Sequence, residues 1–107
     1  MFYTEAIGLE VKREPAGGMA VLRTQNLDIY LLEKAAGTRA CGTSQGERTY
    51  SRHWTPGHLD FIVPDLSSAL ERAVAAGAQH EGGDKGDWGE IAYCSDPFGN
   101  GFCLIQQ

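Results

Sequence analysis

The residues in this chain whose types could do chemistry are few and unevenly spread. The stretch "ERTYSRHWTPGH" holds Arg48, Tyr50, Arg52, His53, Trp54 and His58 within a dozen positions. A Trp beside an Arg and a His can clamp an aromatic or anionic ligand, or it can cap the end of a barrel. His53 and His58 are five apart across Pro56-Gly57, which is not a metal-ligand spacing. Near the C-terminus, "SDPFGNGFCLIQQ" places Cys103 at the centre of a short apolar segment. A free cysteine there is a small packing residue unless a basic neighbour activates it, and the strand sequence supplies none. The glycine-rich "GGDKGDWGE" has no phosphate-loop pattern and reads as a flexible turn or lid, from which Trp88 can reach toward a pocket.

The elements that must position these residues are clearest in the second half. In "VPDLSSALERAVAAGAQ", Leu66, Ala69, Leu70, Ala73 and Val74 recur at helical spacing. Asp65 is suited to the N-cap, Ser68 to Glu71 offers a second capping start, and Gly77 stands where a left-handed C-cap glycine belongs. The spacing predicts a helix from about Leu66 to Ala76. Before it, "GHLDFIV" alternates like a strand. After it come a weaker strand around Ala78 to Glu81, then "GEIAYCS" and "GFCLIQ", so this half reads β-α-β-β-β. The first half repeats the pattern more faintly. "FYTEAIGLEVKRE" reads as a helix tail, a Gly8 cap and a strand, followed by strands in "GMAVLRT" and "LDIYLLE". Superposing Gly8 on Gly77 leaves the first half without an opening strand and without most of its helix.

Bulk properties narrow the classes of function. The 107 residues suit one domain, with 42% apolar and 21% charged residues as in ordinary folded proteins. A net charge of -5, with Lys12-Arg13 as the sole adjacent basic pair, argues against nucleic acid or an anionic membrane as partner. No apolar run approaches a membrane span, and three cysteines at no metal-type spacing fit free thiols in a reducing cytoplasm.

Taken in order, "FYTEAIGLEV", "HLDFIVPDLSSALERAVAAGA" and "DPFGNGFCLI" resemble the vicinal-oxygen-chelate superfamily, which includes glyoxalase I, extradiol dioxygenases, and fosfomycin and bleomycin resistance proteins. The resemblance implies an α+β fold of two βαβββ modules, a curved mixed sheet around a cavity, with the first module truncated. The domain would span 1–107, with module 1 at about 1–33, a connector at 34–56 and module 2 at about 57–107. Metal-using members draw ligands from the first and last strands of each module. His58 matches the opening position of the second module. Cys103 aligns where a glutamate usually stands, Tyr30 aligns with its first-module counterpart, and the remaining ligand would lie upstream of Met1.

Alternation puts His58 with Asp60 and Ile62, Tyr30 with Asp28 and Leu32, and Cys103 with Gly101 and Ile105 on the faces expected to line the cavity. Leu59, Phe61 and Val63, Ile29 and Leu31, and Phe102 and Leu104 would pack under the helices. The expected ligand-binding residues are therefore Tyr30, Trp54, His58, Trp88 and Cys103, with no catalytic residue assigned, no metal and no cofactor. The leading expectation is a metal-independent protein that binds a small organic molecule, and so sequesters a drug or metabolite. The competing one is an isomerase, lyase or dioxygenase with a divalent metal ion at His58, other ligands coming from a partner chain. An uncovered sheet edge makes a homodimer the expected assembly.

Overall fold

The computed structural model describes residues 1–43, 45–54 and 57–107; Pro56, at the end of the expected connector, lies outside them. The elements are α1 (Phe2–Ala6), β1 (Glu10–Ala16), β2 (Met19–Arg23), β3 (Asp28–Leu32), β4 (Leu59–Ile62), α2 (Leu66–Ala75), β5 (Gln79–Gly86), β6 (Gly89–Ser95) and β7 (Gly101–Gln106). They make an α+β fold with two sheets, β1-β2-β3 and β4-β7-β6-β5. Two compact units result, one of Leu9–Tyr50 and one of Met1–Gly8 with Ser51–Gln107. Among the described residues no helix is long and apolar enough to cross a membrane.

In the larger unit the helix signals operate as the sequence predicts. The Asp65 side chain accepts from the Ser68 amide at 2.7 Å, which satisfies one of the first-turn donors. Ser68 itself falls inside the helix, so the second capping start is not used. At the other end Gly77 has φ +113°, and the amides of Gly77 and Ala78 bond back to Val74 and Ala73. That is the paired bonding of a left-handed helix stop. Leu66, Ala69 and Ala73 turn toward the sheet, whereas Val74 is exposed. The alanines keep the helix close to Ala92, Cys94, Phe102 and Leu104, which form the core with Phe2 and Ala6 of α1.

The short helix α1 is held to this unit by two polar contacts besides its apolar face. Arg72 Nε donates to the Ala6 carbonyl at 3.0 Å, and the Tyr3 hydroxyl donates to Asp96 at 2.7 Å. Asp96 is 4% exposed and also accepts from the amides of Phe98 and Asn100 and from the Asn100 side chain, each at 2.9 Å. This is the physical content of the Asp-Pro-x-Gly-Asn turn: one buried carboxylate with four donors closes the β6–β7 connection and ties down α1. Burial, then the bond to Asp96, pushes the Tyr3 phenol well above its ordinary value.

The four-stranded sheet is mixed. β4 runs parallel to β7, with Asp60 beside Cys103 and Phe61 beside Leu104, while β7-β6 and β6-β5 are antiparallel. The glycine-rich stretch read from the sequence as a flexible lid is instead the end of β5, paired residue by residue with β6 through Gly86↔Gly89. Pairing with a full-length neighbour overrides the weak strand propensity of glycine. The missing side chains have a steric use, because a Cβ on Gly83 would lie 2.5 Å from the Ile91 carbonyl oxygen. β5 also carries a bulge, since His80 pairs with Cys94 and Gly82 with Tyr93, leaving Glu81 as the extra residue.

The three-stranded sheet is described by itself. β1 is exposed along its length and shifts register twice against β2, whose Ala20, Val21 and Leu22 are buried. β3 pairs with β2 in regular register, Tyr30 opposite Val21, and its residues are half-buried or exposed. Lys12 and Asp28 form an ion pair within this unit.

Candidate functional site

The register of β4 on β7 creates the site. Asp60 and Cys103 are partners, so their side chains leave the same face of the sheet, opposite the face carrying Phe102 and Leu104. His58, just before β4, shares that side, with its Nε2 3.1 Å from Asp60 Oδ1. On the other flank of β7, Tyr93 of β6 pairs with Cys103 and joins the same face. The bulge in β5 then re-aims Glu81, which an unbroken ladder would have set in register with Tyr93. Gly82, beside it at φ +150°, takes a conformation that side chains rarely adopt.

Trp54 arrives from the segment before β4, which is pinned to the β6–β7 turn. The His53 amide donates to Gly99 O and the Gly101 amide donates to His53 O, both at 3.1 Å. Trp54 lies directly over Gly101, where a Cβ would sit 2.6 Å from its ring. The indole meets His58 and Tyr93 edge-on, at centroid distances of 5.1 and 6.1 Å. Its Nε1 donates to Glu81 Oε2 at 3.2 Å, and the Arg52 guanidinium covers the ring 4.4 Å from its centroid. Trp54, His58, Glu81, Tyr93 and Cys103 line an open cavity of about 360 Å³.

Arg52 is bound to Glu81 in a two-pronged ion pair through Nε and Nη2, and Nη1 donates to the His53 carbonyl. The Arg52 hydrogen bond holds the Glu81 carboxyl below the usual carboxylate range. The guanidinium at "SRHW" is thus paired with a carboxylate of the same chain. Arg48 and Tyr50, from the same stretch, bond elsewhere, Arg48 to Thr38 and Arg39 and Tyr50 to the Lys34 carbonyl. His53 is half-buried, and its buried Nδ1 has no hydrogen-bond partner among the described residues.

Of the five residues expected to bind a ligand, the structure brings together Trp54, His58 and Cys103. Trp88 sits at the β5–β6 turn against Gly86, and Tyr30 is on β3 in the smaller unit; both are exposed. Glu81 and Tyr93 were not anticipated as wall residues. Tyr93 was within reach of strand alternation, while Glu81 depended on a bulge that only the Glu81-Gly82-Gly83 run hints at. The Cys103 thiol is 2% exposed, and burial, then the hydrogen bond to Asp60, pushes it up to about 12. The His58, Asp60 and Cys103 donor atoms lie within 4.8 Å of one another, and both burial and Asp60 favour the protonated form of the thiol.

A family model described as a glyoxalase-like domain matches residues 1–105. The chain belongs to this family. No curated protein matches the glyoxalase-like chain in sequence. Among solved structures, a lactoylglutathione lyase from Agrobacterium tumefaciens is similar at 19% identity and TM-score 0.67, over 98% of this chain and 80% of that one. A protein from the mobile metagenome of V. Pseudocholerae is 27% identical, with TM-score 0.60 over 98% and 80%. TnmS3, an antibiotic binding protein from Streptomyces sp. CB03234, is 22% identical, with TM-score 0.57 over the same shares. The family model places the glyoxalase-like domain within the vicinal-oxygen-chelate superfamily, and these structures share its fold.

Metal chemistry is a common use of that superfamily, and the donor set here can be tested for it. One ligand atom each from His58, Asp60 and Cys103 lies within 4.8 Å of the others. Nitrogen, oxygen and sulfur donors in that number are compatible with a zinc ion that keeps an open position. The sulfur fits only as a thiolate, so an ion would have to displace the proton now shared with Asp60. The residues of this glyoxalase-like domain therefore permit a divalent ion, with Asp60 as the donor absent from the sequence expectation.

Proposed function

We propose that this glyoxalase-like protein binds a small organic molecule in the cavity walled by Trp54, His58, Glu81, Tyr93 and Cys103, without a metal ion. The observation that carries the reading is the aromatic corner. Trp54 and Tyr93 meet at nearly a right angle beside a buried thiol, and the orientation of Trp54 is held by its bond to Glu81 at the rim. Such a mix of apolar wall and few fixed polar groups is how small-molecule sites are built. That TnmS3, of the same fold, is an antibiotic binding protein supports sequestration as a use of the architecture. Tyr30 and Trp88 enter the proposal as further contacts for larger ligands.

The test is a thermal-shift screen of flat aromatic drugs and metabolites, with hits measured by calorimetry. Binding should fall at least tenfold in Trp54→Ala, and Tyr30→Ala and Trp88→Ala report whether those side chains take part. Hits that ignore Trp54→Ala would refute the cavity assignment.

The His58, Asp60 and Cys103 cluster favours a second reading, a lyase, isomerase or dioxygenase with a divalent ion there. Bound at that cluster, the ion would supply Lewis acidity to a substrate oxygen. A stoichiometric ion in purified protein, lost in His58→Ala and in Asp60→Ala, would establish this reading and overturn the metal-independent one.

A further inference from the structure

The edge strands of the two sheets differ in how they are guarded against pairing with another chain. β1 carries Lys12, Arg13, Glu14 and Pro15 and shifts register twice against β2. β5 carries Glu81, Asp84 and Lys85 and a bulge, and β4 has only 4 residues, with the charged Asp60 among them. Charge, proline, bulges and shortness all discourage another strand from adding to an edge. β3 is different. Its Asp28-Ile29-Tyr30-Leu31-Leu32 run has no proline and no shift against β2, and its single charge, Asp28, is met by Lys12 of the same sheet. Tyr30 and Leu32 are 60% and 56% exposed.

The hydrogen bonds at the two ends of β3 fix which backbone groups its edge presents. The Glu33 amide donates to the Gly18 carbonyl at 2.7 Å, and the Thr24 amide donates to the Leu27 carbonyl at 2.9 Å. Between these bonds an antiparallel ladder uses every second residue, so Ile29 and Leu31 bond to β2. Asp28, Tyr30 and Leu32 therefore aim their N–H and C=O groups outward. Among the described residues no backbone bond from another element meets them.

A second β3 laid antiparallel on this edge, with the two Tyr30 residues opposite each other, satisfies all of these groups in one register. Asp28 then exchanges bonds with the second copy's Leu32, and the two tyrosines form a cross-strand aromatic pair. No like charges are opposed. Glu33 falls opposite the second copy's Leu27, and Lys34 lies one diagonal step from its Asp28. The outer edges of the joined sheet are the two guarded β1 strands, so the pairing closes at two chains.

We infer that β3 is a self-association edge, through which two copies of this chain join their three-stranded sheets about a two-fold axis at Tyr30. An edge this short buries little surface, so the dimer is weak and dissociates on dilution. No wall residue of the cavity takes part, and the dimer stands apart from the small-molecule reading.

Sedimentation velocity and amide hydrogen exchange test this on the full chain, from low to high micromolar concentration. The wild type should pass from monomer to dimer without larger species. The Asp28, Tyr30 and Leu32 amides should gain protection over that range, while Ile29 and Leu31 stay unchanged. Tyr30→Lys and Tyr30→Glu each set like charges opposite one another across the axis and should weaken association about tenfold or more. An equimolar mixture of the two variants should restore it, since opposite charges then meet. Position 30 is exposed, so far-UV circular dichroism should show both variants folded as the wild type. If a variant unfolds, the alternating protection of the wild-type strand still decides the matter. A wild type that stays monomeric at high micromolar concentration would overturn the inference. So would association that persists in either variant alone, or a mixture that fails to recover it.

Discussion

β7 and β3 each close a three-strand antiparallel series, but they end in different surroundings. β7 lies between β6 and the parallel β4, and its first four residues are buried. β3 pairs with β2 alone, and none of its residues is fully buried. A strand with neighbours on both sides can carry one face into a core and place the other in contact with side chains from two directions. That is how Cys103 meets Asp60 from one neighbour and Tyr93 from the other. Tyr30 has a single cross-strand partner, Val21, and so no comparable enclosure within its own unit. The chemistry gathers where the sheet is doubly flanked.

The most severe test of this contrast removes matched side chains from the two strands. Phe102→Ala should cost about 3–5 kcal/mol, since a fully buried ring packed edge-on against Phe2, Tyr3 and Phe61 leaves a cavity behind. Tyr30→Ala should stay within about 0.5 kcal/mol, as expected for an exposed position. Urea melts read both, and comparable losses would erase the distinction between the strands.

Next in size is the turn that feeds β7. Asp96→Ala leaves the Tyr3 hydroxyl, two amides and the Asn100 side chain without their acceptor, a loss of about 2–3 kcal/mol. Tyr3→Phe removes one bond and should cost about 1 kcal/mol. Hydrogen exchange should show α1 opening first in the Tyr3→Phe variant, because Tyr3 is its polar anchor. Unchanged α1 protection would mean that Phe2 and Ala6 suffice.

How much of this was legible beforehand follows the same division. The α+β class, the family and α2 with both its caps were readable because local signals and tertiary structure agree there. Asp65 caps, Gly77 stops, and the apolar stripe faces the sheet. The faces of β7, and of Phe61 in β4 and Val63 just beyond it, were readable from alternation alone, whereas Leu59, expected to pack beneath the helices, is exposed. What escaped was non-local. Glycines at 82, 83 and 86 look like a loop until a paired β6 shows that the strand needs their small size. Glu81 becomes a site residue only through a bulge, and Arg52 loses its apparent freedom only when Glu81 is known to face it. Whether Tyr30 and Trp88 touch a ligand is a question for the binding experiments.

A smaller effect separates the tight glycine positions of β5 from ordinary ones. Gly83→Ala drives a methyl group toward the Ile91 carbonyl and should cost about 1–3 kcal/mol as overpacking. Gly46→Ala, with nothing near its added Cβ, should change stability by less than about 0.5 kcal/mol. Equal melting temperatures for the two variants would mean that β5 does not hold its register against β6.

The least disruptive test concerns the rim of the cavity, through the pH dependence of the Arg52–Glu81 pair. The Arg52 hydrogen bond holds the Glu81 carboxyl below its ordinary value near 4.5 against the opposing pull of burial, and a Ser95 hydrogen bond adds to the lowering. Because the folded value is the lower one, the unfolded chain binds more protons between the two values. The contribution is therefore present above about pH 4.5 and is lost as pH falls through the folded value. Both side chains remain partly solvated, so its size is under about 1 kcal/mol and shrinks with added salt. Glu81→Gln removes the titrating group. Melting temperatures of the two proteins should differ most at pH 6–7 and converge toward pH 3. A gap that is the same at pH 3 and pH 7 would show that Glu81 acts there through packing on Trp54 rather than through charge.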